Sequence, residues 1–109
     1  MAERYQKVVK VSSKLEDAYS ICQKVCTNSK MTIKNQNIVP LDSFYILASE
    51  KTNWLSTSWP TRIEICGSIH NDKVIIEVTA DSSLGSFTQG NANARKLDGI
   101  VDSIKAYLE

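Results

Sequence analysis

Two stretches of this chain alternate strictly between apolar and polar positions, RIEICGSIH at residues 62 to 70 and KVIIEVTAD at residues 73 to 81. A period of two predicts strands with one buried face. Between them, Asn71 and Asp72 are residue types that tolerate the positive φ of a two-residue type I′ turn. If those two form the loop, facing positions have numbers that sum to 143, as in His70 with Lys73. Ile65 then faces Val78 and Ile63 faces Ala80 on one side, while Arg62 faces Asp81, Glu64 faces Thr79 and Cys66 faces Glu77 on the other. One face of the hairpin is apolar and the other is wet.

The flanking segments supply the remaining elements. YQKVVKV, residues 5 to 11, is rich in valine and of strand length. Ser13 and Glu16 then have the S-x-x-E spacing of a capping box, which predicts a helix starting there with both side chains satisfying open backbone N–H groups. Leu15, Ala18, Tyr19, Cys22, Val25 and Cys26 recur at spacings of three and four, so the helix should run to about Asn28 with this stripe on the core. Residues 31 to 50 contain two apolar runs separated by Pro40 and Asp42, predicting one short strand and a longer one over SFYILAS. The last segment places Ala94, Leu97, Ile100, Val101, Ile104 and Leu108 on one stripe of a closing helix. Gly99 costs that helix about 1 kcal/mol against alanine, which predicts a close approach to the sheet at this point.

The order β-α-β-β-β-β-α predicts a two-layer α+β fold, a mainly antiparallel sheet of four or five strands with both helices on its apolar face. A parallel arrangement is disfavoured by the tight hairpin and by the scarcity of helices between strands. At 109 residues the chain reads as a single domain, residues 1–109, without a linker or repeat. Its 42% hydrophobic and 23% charged residues are those of a globular protein. Thirteen basic against twelve acidic residues, with no Lys/Arg run, argue against a nucleic-acid partner. No apolar segment reaches the roughly 18 residues of a transmembrane span, and three cysteines suit a reducing compartment, so the expected location is the cytoplasm.

Candidate chemistry is sparse. Cys22 and Cys26 could approach one metal from a helix, and Cys66 with His70 would complete a four-ligand zinc set. The second pair lies on one strand, about 13 Å apart at roughly 3.3 Å per residue, too far for one ion or for a nucleophile and its base. Cys22 and Cys26 therefore read as buried structural thiols, and Cys66 as an accessible one. Glu77 and Asp81 share the wet face, but Arg62 opposite Asp81 points to a surface ion pair. GSFTQGNANAR precedes a helix, yet its Ser, Gln and Asn suit capping better than phosphate binding. No cofactor or metal is expected, and the chain reads as a non-enzyme.

The informative oddity is TNWLSTSWPTR, which sets both tryptophans in a polar stretch. Carrying the hairpin sum outward brings Trp59 toward Leu84, so Trp54, Leu55, Trp59, Leu84 and Phe87 should gather at one end of the sheet. Such a cluster either plugs the core or lines a mouth for an apolar ligand. STSWPTRIEI followed by the hairpin and TQGNANARKLDGIVDSI resembles a group of small uncharacterised bacterial proteins, with a Ser-Trp before a strand and Gln and Asn leading into the last helix. Pro60 stands where that group usually has Gly. The resemblance implies a small α+β domain without assigned catalytic activity. The functional expectation is binding of a small apolar ligand or lipid fragment near the Trp54/Trp59 end. The alternative is a protein-interaction module or homodimer that uses the same patch or a strand edge.

Overall fold

The hairpin sum is observed in the computed structural model, which describes residues 5–50, 61–82 and 90–108. β4 (Thr61–His70) and β5 (Lys73–Ser82) pair antiparallel from Thr61 with Ser82 down to His70 with Lys73, including the facing pairs expected between residues 62 and 81. Asn71 and Asp72 adopt φ of 51° and 65°, the two left-handed residues of a type I′ turn.

β1 (Tyr5–Val11) pairs with the far side of β5, and β2 (Met31–Val39) and β3 (Ser43–Glu50) extend the sheet beyond β4. The result is a five-stranded antiparallel sheet of order β1-β5-β4-β3-β2. α1 (Leu15–Asn28) lies over β2, β3 and β4, and α2 (Gly90–Leu108) over β1, β5 and β4, so the two helices rest side by side on one face. This is the expected α+β architecture. β2 departs from it in length: at nine residues it exceeds the eight of β3, because a bulge between Ile33 and Asn35 lets the ladder continue past Lys34.

The core fills the space between these layers. Leu15, Ala18, Cys22, Val25 and Cys26 of α1 and Leu97, Ile100, Val101 and Ile104 of α2 are buried against Ile46, Ala48, Ile63, Ile65, Ile76 and Val78. Each fully buried branched side chain contributes about 1.5–3 kcal/mol, which makes this face the main source of stability.

Two local expectations are corrected. The capping box does not form: α1 begins at Leu15, its N-cap is Lys14 with φ −70° and ψ 152°, and no side chain caps it. Burial of Leu15 and Ala18 sets the helix start, and it places Ser13 one residue too early to reach the open N–H groups. Gly99 is exposed, and a Cβ there would meet nothing within 4 Å, so it marks no approach to the sheet. Among the described glycines the tight contact is instead at Gly67, within the sheet itself on β4. There a Cβ would stand 2.1 Å from the ring of Phe44.

Candidate functional site

The antiparallel sheet has two ends, and different connections gather at each. At one end β3 stops at Glu50, β4 starts at Thr61 and β5 stops at Ser82, so the β3–β4 and β5–α2 connections both leave from here. Trp54, Leu55 and Trp59 belong to the first connection and Leu84 and Phe87 to the second. All five, with the proposed approach of Trp59 to Leu84, lie outside the described residues.

The described residues at the base of these connections form a polar clasp. The Glu50 carboxylate accepts the Thr61 backbone N–H at 2.9 Å, which ties together the two strand ends that bracket the β3–β4 connection. Its other oxygen lies 3.6 Å from the Lys96 ammonium, and that ammonium donates to the Ser29 carbonyl at 2.8 Å. Lys96 thus joins α2 to the C-terminal end of α1, where unpaired carbonyls and the helix dipole favour a cation. Beneath it, burial pushes the Cys26 thiol up to about 11, with the Lys96 ammonium drawing it partly back. Burial pushes Cys22 higher still, with Cys26 adding to the effect. Both thiols are free and buried.

On the sheet face away from the helices, Arg62 holds Asp81 through two nitrogens at 3.0 and 3.1 Å. Asp81 is only 9% exposed, so this is a half-buried pair rather than the expected surface pair. The next row carries the Tyr45 hydroxyl donating to Glu64 at 2.8 Å, and burial followed by that carboxylate raises the tyrosine's pKa. Cys66 lies beside them, half-buried, and its thiol is pushed up first by burial and then by Glu64 and Glu77. A thiol held protonated is a poor nucleophile and a poor ligand. Among the described residues no three His, Cys, Asp or Glu side chains converge on a common point suited to a metal.

At the opposite end the β1–α1, β2–β3 and β4–β5 turns meet, and between them lies a hollow of about 520 Å³ lined by residues 12–16, 41, 69 and 72–74. The Ile69 N–H donates to the Asp42 carbonyl at 3.3 Å and fastens the β2–β3 turn to the end of β4. Val39 to Asp42 is a β-turn closed by the Asp42 N–H on the Val39 carbonyl at 3.0 Å. Pro40 precedes Leu41, whose φ is 64°, so the turn is of type II with leucine where glycine is favoured. A leucine there costs about 1–2 kcal/mol. Its side chain recovers nothing by burial, being 82% exposed, and Ile69 beside it is 40% exposed. This hollow has no periodic signature in the sequence. The available signals were Leu41 after Pro40 in a turn and a lysine between Ser13 and the first core leucine of α1.

No protein-family model and no curated protein sequence matches the chain. Its fold is nonetheless found in solved structures. The vertebrate conserved region of human METTL16 superposes with a TM-score of 0.56 at 9% identity, over 94% of this chain and 98% of that one. The 18 kDa protein CC1736 from Caulobacter crescentus gives 0.52 at 11% identity, over 97% and 95% of the two chains. A START superfamily protein from Mycobacterium smegmatis gives 0.50 at 11% identity, over 96% of each. At such identities the likeness is one of architecture alone: a helix-grip α+β fold, in which an antiparallel sheet carries a long C-terminal helix across its apolar face.

Proposed function

We propose that the chain is a non-enzymatic binding domain that takes a small apolar ligand or lipid fragment at the end of the sheet where the β3–β4 and β5–α2 connections leave. The carrying observation is topological. The two segments that hold Trp54, Leu55, Trp59, Leu84 and Phe87 are rooted at one end of the sheet, next to α2 and the Glu50–Lys96 clasp. Loops rooted on a rigid sheet commonly hold binding residues, and START-like neighbours make an apolar ligand consistent with the fold. Both tryptophans lie in the β3–β4 connection, so their emission reports on this end of the molecule. Titration with a panel of apolar ligands and short-chain lipids should shift that emission saturably. Trp59→Ala should abolish the response while the circular dichroism of the fold is kept. Unchanged emission across the panel, or a Trp59→Ala chain that unfolds, would turn the cluster into a core plug and defeat the proposal.

A second reading, homodimerisation through a strand edge, is favoured by β2. It pairs only with β3 among the described strands, and its residues Asn35 to Val39 carry no charge to discourage pairing. Sedimentation across a hundredfold range of concentration tests it, and a constant monomer mass removes it.

A further inference from the structure

The hollow at the turn end contains two residues that local folding preferences do not explain. Leu41 sits in a left-handed backbone conformation that glycine would occupy without strain, and it leaves its side chain 82% exposed. Lys14 occupies the N-cap of α1, a position that favours Ser, Thr, Asp or Asn and at which the helix dipole gives a cation no support. Neither burial, hydrogen bonding nor helix electrostatics accounts for the pair. Both line the same hollow.

The other side chains around it complete a mixed surface. Ile69 adds a half-exposed apolar wall next to Leu41, and Lys73 adds a second ammonium from the β4–β5 hairpin. Glu16 and Asp72 also border the hollow. The fold has uses for both: a carboxylate in the first turn of α1 offsets the helix dipole, and Asp72 supplies the φ of 65° that the hairpin needs. Among the described residues neither lysine of the lining makes an ion pair, so the hollow offers one apolar surface and two cations beside these two carboxylates.

We infer that this hollow is a second binding site, specific for an amphipathic monocarboxylate of medium alkyl length. Its carboxylate is held by the Lys14 and Lys73 ammonium groups, and its chain lies against Leu41 and Ile69. The volume of about 520 Å³ holds an alkyl chain of this length together with its headgroup. The site is separate from the tryptophan end, because the β1–α1, β2–β3 and β4–β5 turns lie at the other end of the strands from Glu50, Thr61 and Ser82.

The test is titration of the isotope-labelled full chain with octanoate at neutral pH, followed residue by residue by amide NMR shifts, with 1-octanol as the uncharged control. Saturable shifts should cluster at residues 12–16, 41, 69 and 72–74, and 1-octanol should bind at least tenfold more weakly. Leu41→Gly should weaken octanoate at least fivefold without lowering the melting temperature. Lys14→Ser combined with Lys73→Gln should weaken it at least tenfold, with the fold kept because serine is the better N-cap. The inference is overturned if octanoate and octanol bind alike, if the shifts fall outside these residues or never saturate, or if Leu41→Gly lowers the melting temperature and so marks Leu41 as part of the fold. Tryptophan emission is recorded in parallel. A response there without shifts in the hollow supports the apolar site and rejects this one, and the reverse result does the opposite.

Discussion

The ring of Phe44 on β3 lies directly over Gly67, its cross-strand partner on β4, so closely that an added Cβ would stand 2.1 Å from one ring carbon and 2.4 Å from the next. Phe44 is 3% exposed, and its ring also meets that of Tyr19 on α1 at 5.4 Å between centroids. The glycine therefore lets an aromatic side chain pack closely against β4 beneath a helix. Gly67→Ala should force the ring from its site and cost about 1–3 kcal/mol, the range for overpacking a filled core. Urea denaturation checks the cost. Adding Phe44→Leu to Gly67→Ala should recover part of the loss, and simple additivity of the two changes would show that the ring and the glycine do not interact.

Gly67 also shows where sequence reading stops. The hairpin was legible to the residue because strict alternation and Asn71-Asp72 act together: a slip of one position would turn Ile63, Ile65, Val78 and Ala80 outward. The helix stripes were legible for the same reason, since the buried positions of α1 and α2 follow the apolar period. Glycine carries no such period. Gly99 and Gly67 look alike in sequence, and only the neighbour across the strand distinguishes a glycine facing solvent from one beneath a ring. The capping box failed because a cap of about 1 kcal/mol yields to the burial of Leu15, worth roughly twice that. The turn-end hollow was hidden because it joins side chains from three turns far apart in sequence, while the tryptophan cluster rests on sequence and topology alone.

Arg62 and Asp81 differ in what each loses when its partner is removed. The arginine side chain is 44% exposed and the aspartate 12%, so water can solvate the guanidinium alone but reaches the carboxylate poorly. Arg62→Ala should therefore cost about 1–2 kcal/mol by removing two charge-assisted hydrogen bonds from a carboxylate that water reaches poorly. The Arg62→Ala/Asp81→Ala double variant should be less destabilised than the sum of the single changes. Thermal unfolding of the three variants measures this, and strict additivity would mean that the two hydrogen bonds add nothing to stability.

Lys30 follows the C-cap of α1 with φ at 62°, and its N–H bonds to the Thr27 carbonyl at 3.1 Å. This is the left-handed position after a helix that glycine fills most easily. Lys30→Gly should raise stability by about 0.5–1 kcal/mol, since the strain relieved exceeds the added freedom of the unfolded chain. For a domain of about 100 residues that corresponds to a rise of several degrees in melting temperature. A lower melting temperature would show that the lysine side chain contributes more than its backbone strain costs.

The helix thiols make stability depend on pH in the alkaline range. Burial raises Cys26 from its ordinary 9.0 to about 11 and raises Cys22 further, whereas in the unfolded chain both ionise near 9.0. Below pH 9 both states hold the protons, and their contribution to stability is fully present. Between pH 9 and 11 the unfolded chain releases protons that the folded chain keeps, so stability falls as pH rises, by up to about 1.4 kcal/mol per pH unit for each thiol. The stability advantage of the native chain over Cys26→Ala should therefore shrink by roughly that slope across this window, measured by urea denaturation under reducing conditions. An advantage that stays constant with pH would contradict the burial of Cys26. Cys66 gives the internal comparison: half-buried on the outer sheet face, it should be modified by a thiol reagent in the native state well before Cys22 and Cys26. Equal rates for all three would mean that α1 does not hold its thiols against the core, and the alkaline dependence would then have another source.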